Sequence, residues 1–94
     1  MSDIMVPLLV TTEHKGVFFG YGVPTDERII RLERARMCVH WDSGVRGVLG
    51  LAATGPNANC RVGPAVPAIV LQGVTAVVTC SEEARSQWEQ NHWA

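Results

Sequence analysis

Two arginines, Arg46 and Arg61, stand in a glycine- and proline-rich stretch that holds no Asp or Glu from residue 43 to residue 81. An arginine guanidinium presents paired N–H donors that match phosphate or carboxylate oxygens. A helix that begins at Ser43 and Gly44 would add free backbone N–H groups and the positive end of its dipole. These residue types predict an anion site, with phosphate as the first candidate.

Other residues of the same stretch extend this predicted site. Trp41 precedes the predicted helix and could stack on a base, and hydroxyl and amide side chains follow the helix. The candidate ligand-binding residues are Trp41, Ser43, Gly44, Arg46, Thr54, Asn57, Asn59 and Arg61. The stretch matches neither a Walker loop nor the GxGxxG fingerprint, so it indicates anion binding without specifying a nucleotide-binding fold.

Catalysis and metal binding have weaker support in the sequence. His40, Asp42 and Ser43 are close together, but no nucleophile elbow or other known arrangement frames them. Cys38 and His40 would share one face of a strand, whereas a tetrahedral zinc site usually has a tighter ligand pair. We therefore expect a protein without enzymatic activity, metal or cofactor.

Size and charge limit the remaining classes. The 94 residues predict a single domain over 1–94, and the formal net charge of −1 argues against a general nucleic-acid binder and a polybasic membrane anchor. The N-terminal apolar run is interrupted by Pro7 and is too short to cross a bilayer. Three widely spaced cysteines without a CxxC pair predict buried free thiols. We expect a soluble, cytoplasmic protein.

The segments before the central stretch are predicted as strands. Met5–Thr12 is rich in β-formers, and Pro7 marks either a sheet edge or the start of the strand. Val17–Tyr21 forms a hairpin with it, and Gly20 predicts a bulge or a close backbone approach. Arg28–Trp41 is interpreted as two strands or one bent strand, with a helix as the alternative. A solvated charged face is predicted for its arginines, Arg28, Arg31, Arg34 and Arg36.

The central stretch itself is predicted to contain a helix. It covers Gly44–Thr54, with Asp42 or Ser43 as its cap and Gly55 with the following proline as its stop. A strand over 48–53 is the alternative. The glycines at 44, 47 and 50 share one face, which predicts the close approach of a strand, another subunit or a ligand.

The C-terminal part is predicted as strands followed by a helix. The predicted extended segments are Cys60–Val62, Ile69–Leu71 and Val74–Thr79, with a turn or bulge at Gly73. Ser81–Gln90 follows as a helix that Ser81 or Thr79 caps, and Trp88 is expected to dock on the sheet. The predicted fold class is α+β, with a small, mostly antiparallel sheet of about five or six strands and one or two short helices.

Several segments resemble a family of small uncharacterised proteins of phages and prophages. They are EHKGVFFGY, ARMCVHW, GVLGLAATGP and CRVGPAVP, followed by VTAVVTCS and a Trp-containing helix. The resemblance covers most of the chain and assigns no catalytic or binding residue. It implies a genetic context in which small proteins block a host defence protein or sequester a nucleotide immune signal. Proteins of the second kind, called sponges, typically form homo-oligomers with pockets at subunit interfaces.

These observations lead to one expected function and two alternatives. We expect a non-enzymatic phage-type protein that sequesters an anionic nucleotide signal, as a homo-oligomer in the cytoplasm of an infected or lysogenic bacterial host. The first alternative is an interaction module that blocks a host defence protein, using Trp93 and the arginine segment. The second is a structural or accessory phage component.

Overall fold

A computed structural model describes residues 5–13, 16–25, 27–41, 44, 47–57 and 60–90. These residues form a six-stranded antiparallel sheet with two short helices, which confirms the predicted α+β fold. The elements are β1 (Val6–Thr12), β2 (Val17–Gly22), β3 (Ile30–His40), α1 (Gly47–Ala53), β4 (Arg61–Val62), β5 (Val66–Leu71), β6 (Val74–Thr79) and α2 (Glu82–Gln90). No helix in the described part of the chain is long and apolar enough to span a membrane.

Strand β1 lies inside the sheet. It pairs with β2 on one edge and with β6 on the other, and β2 continues to β3. The far edge of β3 takes β5 along its first half and β4 along its second half. The predicted hairpin of β1 and β2 is confirmed, and Pro7 marks the start of a strand rather than a sheet edge.

The sheet must curl, because its two end strands follow each other in the chain. β5 pairs with β3 and β6 pairs with β1, yet only Gln72 and Gly73 separate the two end strands. Gly73 has a φ of +66°, as a tight bend allows. The Val74 N–H donates to the Arg28 carbonyl at 3.0 Å, and the Glu13 N–H donates to the Gly73 carbonyl at 3.0 Å. The link therefore joins both ends of the sheet.

Curling gives the sheet an inner and an outer face, each with an apolar core. The inner core contains Leu8, Val10, Ile30, Leu32, Ala35, Leu71 and Val74. The outer core lies under the helices and contains Leu9, Val17, Phe19, Tyr21, Cys38, Leu51, Ala52, Cys60, Val62, Cys80, Ala84 and Trp88. The three cysteines are buried and free, as predicted. Burial raises the pKa of the Cys80 thiol to about 12, so this thiol stays protonated and unreactive.

Strand β3 is one continuous strand with a bulge, so the strand interpretation is confirmed and the helix alternative is wrong. Phe19 pairs with Arg36 and Tyr21 pairs with Glu33, which leaves two residues of β3 opposite Gly20. A Cβ at Gly20 would lie 2.8 Å from the Leu32 Cβ. Both the bulge and the close approach predicted from Gly20 are therefore present.

The described part of helix α1 runs over Gly47–Ala53, which confirms the predicted helix there, and the strand alternative for this segment is wrong. The predicted helix also includes residues 45 and 46, which lie outside the described residues. The predicted caps Asp42 and Ser43 lie outside the described residues. A Cβ at Gly47 would meet nothing within 4 Å among the described residues, so no strand of this chain approaches the glycine face there. The approach of another subunit or a ligand stays a prediction.

The end of α1 follows the prediction. Gly55 has a φ of +82° just after the helix, and a Cβ there would lie 2.6 Å from the Gln87 Cβ. The turn and the close contact with α2 both require glycine.

Helix α2 joins α1 to the sheet. Ser81 caps α2 by accepting from the Ala84 N–H at 3.0 Å, and its hydroxyl donates to the Ala53 carbonyl at 2.5 Å. Trp88 is fully buried and stacks on Phe19, with ring centroids 5.2 Å apart. The predicted cap and the predicted docking of Trp88 are confirmed.

Candidate functional site

A small cavity opens on the outer face, between the sheet and the C-terminal part of α2. Its volume is about 240 Å³, and we call it the arginine cavity. Its lining residues are Phe19, Tyr21, Arg34, Arg36, Ala65 and Glu89. Aromatic and small side chains thus form part of the wall, and two guanidinium groups form another part.

The bulge in β3 places both arginines at this cavity. Side chains alternate between the faces of a strand, so regular alternation from the inward-facing Leu32 would send Arg34 and Arg36 into the inner apolar core. The extra residue reverses the alternation. Ala35 takes the inward position, and Arg36 lies across from Phe19 on the outer face.

Arg34 itself has an unusual backbone conformation. Its φ of +50° lies in the left-handed region, where bulges usually have glycine and other residues cost about 1–3 kcal/mol. The Arg34 guanidinium carbon lies 4.0 Å from the centroid of the Tyr21 ring, in a cation–π contact. The strained residue of the bulge, Arg34, is therefore the one whose guanidinium lies over the Tyr21 ring at the cavity wall.

Arg36 is buried, with 8% of its surface exposed. Its Nε donates to the Gly63 carbonyl at 2.8 Å, and its Nη1 donates to the Trp88 carbonyl at 2.6 Å in the last turn of α2. Burial lowers the pKa of Arg36 below its usual value, but an arginine remains charged at any ordinary pH. The predicted solvated face is therefore wrong at Arg36.

Glu89 is held by two donors at the cavity rim. The Tyr21 hydroxyl donates to Glu89 Oε2 at 2.5 Å, and Arg85 Nη1 donates to the same oxygen at 2.7 Å. The Tyr21 hydrogen bond is the main cause that lowers the pKa of Glu89, while burial and Glu89 raise the pKa of Tyr21. Arg85 also pairs with Glu82, and the charge of Arg34 adds to the lowering of the Glu89 pKa. The cavity lining therefore holds two guanidinium groups and one carboxylate.

The Tyr21–Glu89 hydrogen bond predicts a pH-dependent stability. Because folding lowers the pKa of Glu89, its contribution is present above the unfolded pKa of about 4.5 and is lost as the pH falls through the folded pKa. We expect Tyr21→Phe to lower the free energy of unfolding by about 1 kcal/mol at pH 7, since Glu89 is partly exposed. The deficit should shrink below pH 4.5 in urea titrations. Parallel pH profiles for the two proteins would contradict this assignment.

Three residues of the sequence-predicted site meet in a different hollow. Gly44, Thr54 and Asn57 line a space of about 400 Å³ beside α1, together with Gly55, Pro56, Glu83 and Gln87. The carboxylate of Glu83 opposes an anion there, and the Thr54 hydroxyl donates to the Gly50 carbonyl at 3.0 Å. Ser43, Arg46 and Asn59 lie outside the described residues, as does Trp93.

Arg61 and Trp41 lie apart from that hollow. Arg61 is exposed on β4, pairs across strands with His40, and lines an apolar hollow of about 390 Å³. Trp41 is partly buried and packs against the outer core. The structure therefore does not bring Arg61 together with the three residues beside α1.

Sequence reasoning missed Tyr21, Arg34, Arg36 and Glu89 as a group. One signal was available in β3. Ile30 and Leu32 are two residues apart and so are Met37 and Val39, but Leu32 and Ala35 are three apart. The three-residue spacing breaks the two-residue period and so marks the bulge. It also indicates that Arg34 and Arg36 lie on the opposite face from the apolar residues.

The fold is that of a small α+β domain, with a curled antiparallel sheet and an arginine-lined cavity. Residues 5–88 match the family described as "Domain of unknown function (DUF6948)", and the chain belongs to this family. Comparison with curated proteins and with solved structures finds no match. The resemblance to an uncharacterised family is confirmed to this extent, and the phage origin stays a prediction.

Proposed function

We propose that the protein is a non-enzymatic binding domain whose arginine cavity takes one anionic group of a small ligand. The observation that carries this proposal is the bulge at Arg34. A residue other than glycine occupies the strained bulge position, and the bulge turns two guanidinium groups from an apolar core to one cavity. Backbone strain of this kind is concentrated at functional sites.

The chemistry of the wall supports an oxyanion as the bound group. Guanidinium groups match the oxygens of phosphate or carboxylate. Phe19 and Ala65 add an apolar surface that keeps water away from part of the cavity. The Arg34 guanidinium lies over the Tyr21 ring, and Glu89 is the carboxylate whose pKa its charge helps to lower.

The size of the cavity limits what it can enclose. Pockets for whole small molecules usually measure about 300–1,000 Å³, and the arginine cavity measures about 240 Å³. It therefore suits a single phosphate or carboxylate group, and the rest of the ligand lies outside. The phage resemblance favours an anionic nucleotide immune signal, which a homo-oligomer would enclose with a second subunit.

Thermal unfolding with inorganic phosphate and with a panel of linear and cyclic nucleotides tests the proposal. A ligand at 100 times its Kd stabilises the folded state by about 2.7 kcal/mol, which raises Tm by roughly 10–20 °C in a domain of this size. We expect at least one panel member to give such a shift. Arg34→Gln removes the guanidinium and its charge but keeps a polar side chain, so it should weaken that ligand's Kd at least tenfold.

The controls separate the arginine cavity from other positions. Arg31→Gln changes an exposed arginine on the same strand that pairs with Glu33 and should leave Kd unchanged. The Arg46→Ala, Arg61→Ala double variant tests the sequence-predicted position. The proposal fails if no compound shifts Tm, if Arg34→Gln binds like the wild type, or if only the double variant loses binding.

A further inference from the structure

We propose that the hollow beside Arg61 binds an extended segment of a second protein that carries apolar side chains and at least one carboxylate. We call this hollow the apolar groove, and its volume is about 390 Å³. It is lined by Met37, Val39, Arg61, Val62, Gly63, Pro64 and Val66. Its lining shares no residue with the arginine cavity, so the inference does not rest on the proposed function.

The groove forms where apolar side chains next to the inner core are exposed. Met37 pairs with Phe18, which packs on the inner core, and Val66 pairs with Ala35 of that core. Val39, two residues after Met37, lines the same groove. The exposed fractions are 43% for Met37, 65% for Val39 and 41% for Val66. Adjacent exposed apolar side chains of this kind mark interaction sites, whereas isolated ones do not.

One wall of the groove, the segment that joins β4 to β5, is held in place by hydrogen bonds of Gly63. The Gly63 N–H donates to the Met37 carbonyl at 2.8 Å, and the Gly63 carbonyl accepts from Arg36 Nε at 2.8 Å. Because Arg36 is buried, the segment that joins β4 to β5 is anchored from beneath. A groove that is formed before binding avoids the entropy loss of ordering a loop.

Charge identifies the kind of partner. Arg61 is the charged residue of the lining, His40 lies opposite it on β3, and no carboxylate belongs to the lining. A partner segment with an Asp or Glu complements this rim. A two-fold contact centred on the groove would instead bring the Arg61 side chains of two copies together without a compensating acid. The groove is therefore not self-complementary, which favours a different protein over a second copy.

Two other modes of binding fit the groove less well. An anionic membrane surface is recognised by clusters of about 4–8 basic residues, whereas this rim carries Arg61 and His40. Addition of a partner strand requires backbone N–H groups along a sheet edge. Pro64, just before β5, and Pro67, within β5, have no N–H group to donate. Recognition through side chains, with apolar anchors and one ion pair, is the mode that remains.

Peptide selection on the full chain tests the inference. Random 12-residue peptides are displayed, selected on the wild-type protein, and the best sequence is made with a fluorescein label for anisotropy titration. We expect selected peptides to combine apolar residues with Asp or Glu. Val39→Glu and Arg61→Glu should each weaken Kd at least tenfold. Replacing the peptide's acid with Lys should restore binding to Arg61→Glu.

A matched control makes the result specific. Val70→Glu introduces the same change at an exposed valine of β5 outside the groove and should leave Kd unchanged. The inference is overturned if no peptide is enriched, if enriched peptides lack acidic residues, or if Val39→Glu binds like the wild type. It is also overturned if light scattering shows a wild-type dimer that Val39→Glu converts to a monomer.

Discussion

Replacing Trp88 with alanine is expected to remove about 3–5 kcal/mol from the free energy of unfolding. Trp88 is fully buried between α2 and the sheet, stacks on Phe19, and donates from Nε1 to the Leu51 carbonyl at 3.1 Å. The substitution would leave a large cavity at the point where both helices meet the sheet. Small domains have a total stability of about 5–15 kcal/mol, so much of the variant should be unfolded at 37 °C.

Urea denaturation followed by circular dichroism measures this loss without relying on the fluorescence of the replaced residue. Trp88→Phe is the matched control, because it keeps a ring on Phe19 but leaves the Leu51 carbonyl without its donor. Its expected loss is smaller, about 1–3 kcal/mol. If Trp88→Ala unfolds within 1 kcal/mol of the wild type, Trp88 does not hold the helices to the sheet.

Replacing Arg36 with methionine is expected to cost about 2–4 kcal/mol of stability. Methionine fills much of the same volume, but the carbonyls of Gly63 and Trp88 lose their charged donor. Each buried carbonyl that is left unsatisfied costs about 1–3 kcal/mol. The loss should appear as a lower urea midpoint with an unchanged slope.

Arg31→Met is the control for this second prediction, because Arg31 is an exposed arginine of the same strand. Its expected effect lies within about 0.5 kcal/mol. The stability loss of Arg36→Lys should lie between those of Arg31→Met and Arg36→Met, because an ammonium group lacks the forked donors that reach two carbonyls. Equal stability of Arg36→Met and Arg31→Met would show that Arg36 is not a structural link between β3, the β4–β5 segment and α2.

Elements with local determinants could be predicted from the sequence. The continuous apolar run of β1 and the β-rich run before Cys80 specify strands without distant partners. The cap at Ser81 and the stop at Gly55 depend on residues within one helical turn. For this reason the fold class and most element positions were correct.

The arginine cavity depends on contacts between distant parts of the chain. Arg36 is buried because it donates to a carbonyl of Trp88, 52 residues later, and nothing near Arg36 in the sequence indicates that partner. Arg61 lies apart from Thr54 of the predicted site for a related reason. Closeness in sequence suggested one site, but β4 places Arg61 on the edge of β3 while α1 holds Thr54 in another hollow.

The pairing of β1 with β6 has a consequence for how the chain folds during synthesis. β1 is the first strand to be made, but its second neighbour, β6, is the last, and Phe19 cannot stack on Trp88 until α2 has been made. At about 5–20 residues per second, a ribosome needs about 1–3 s to add the residues from Val74 to Gln90. During this interval one edge of β1 is open to other nascent chains, and the sheet closes only after β6 has been made.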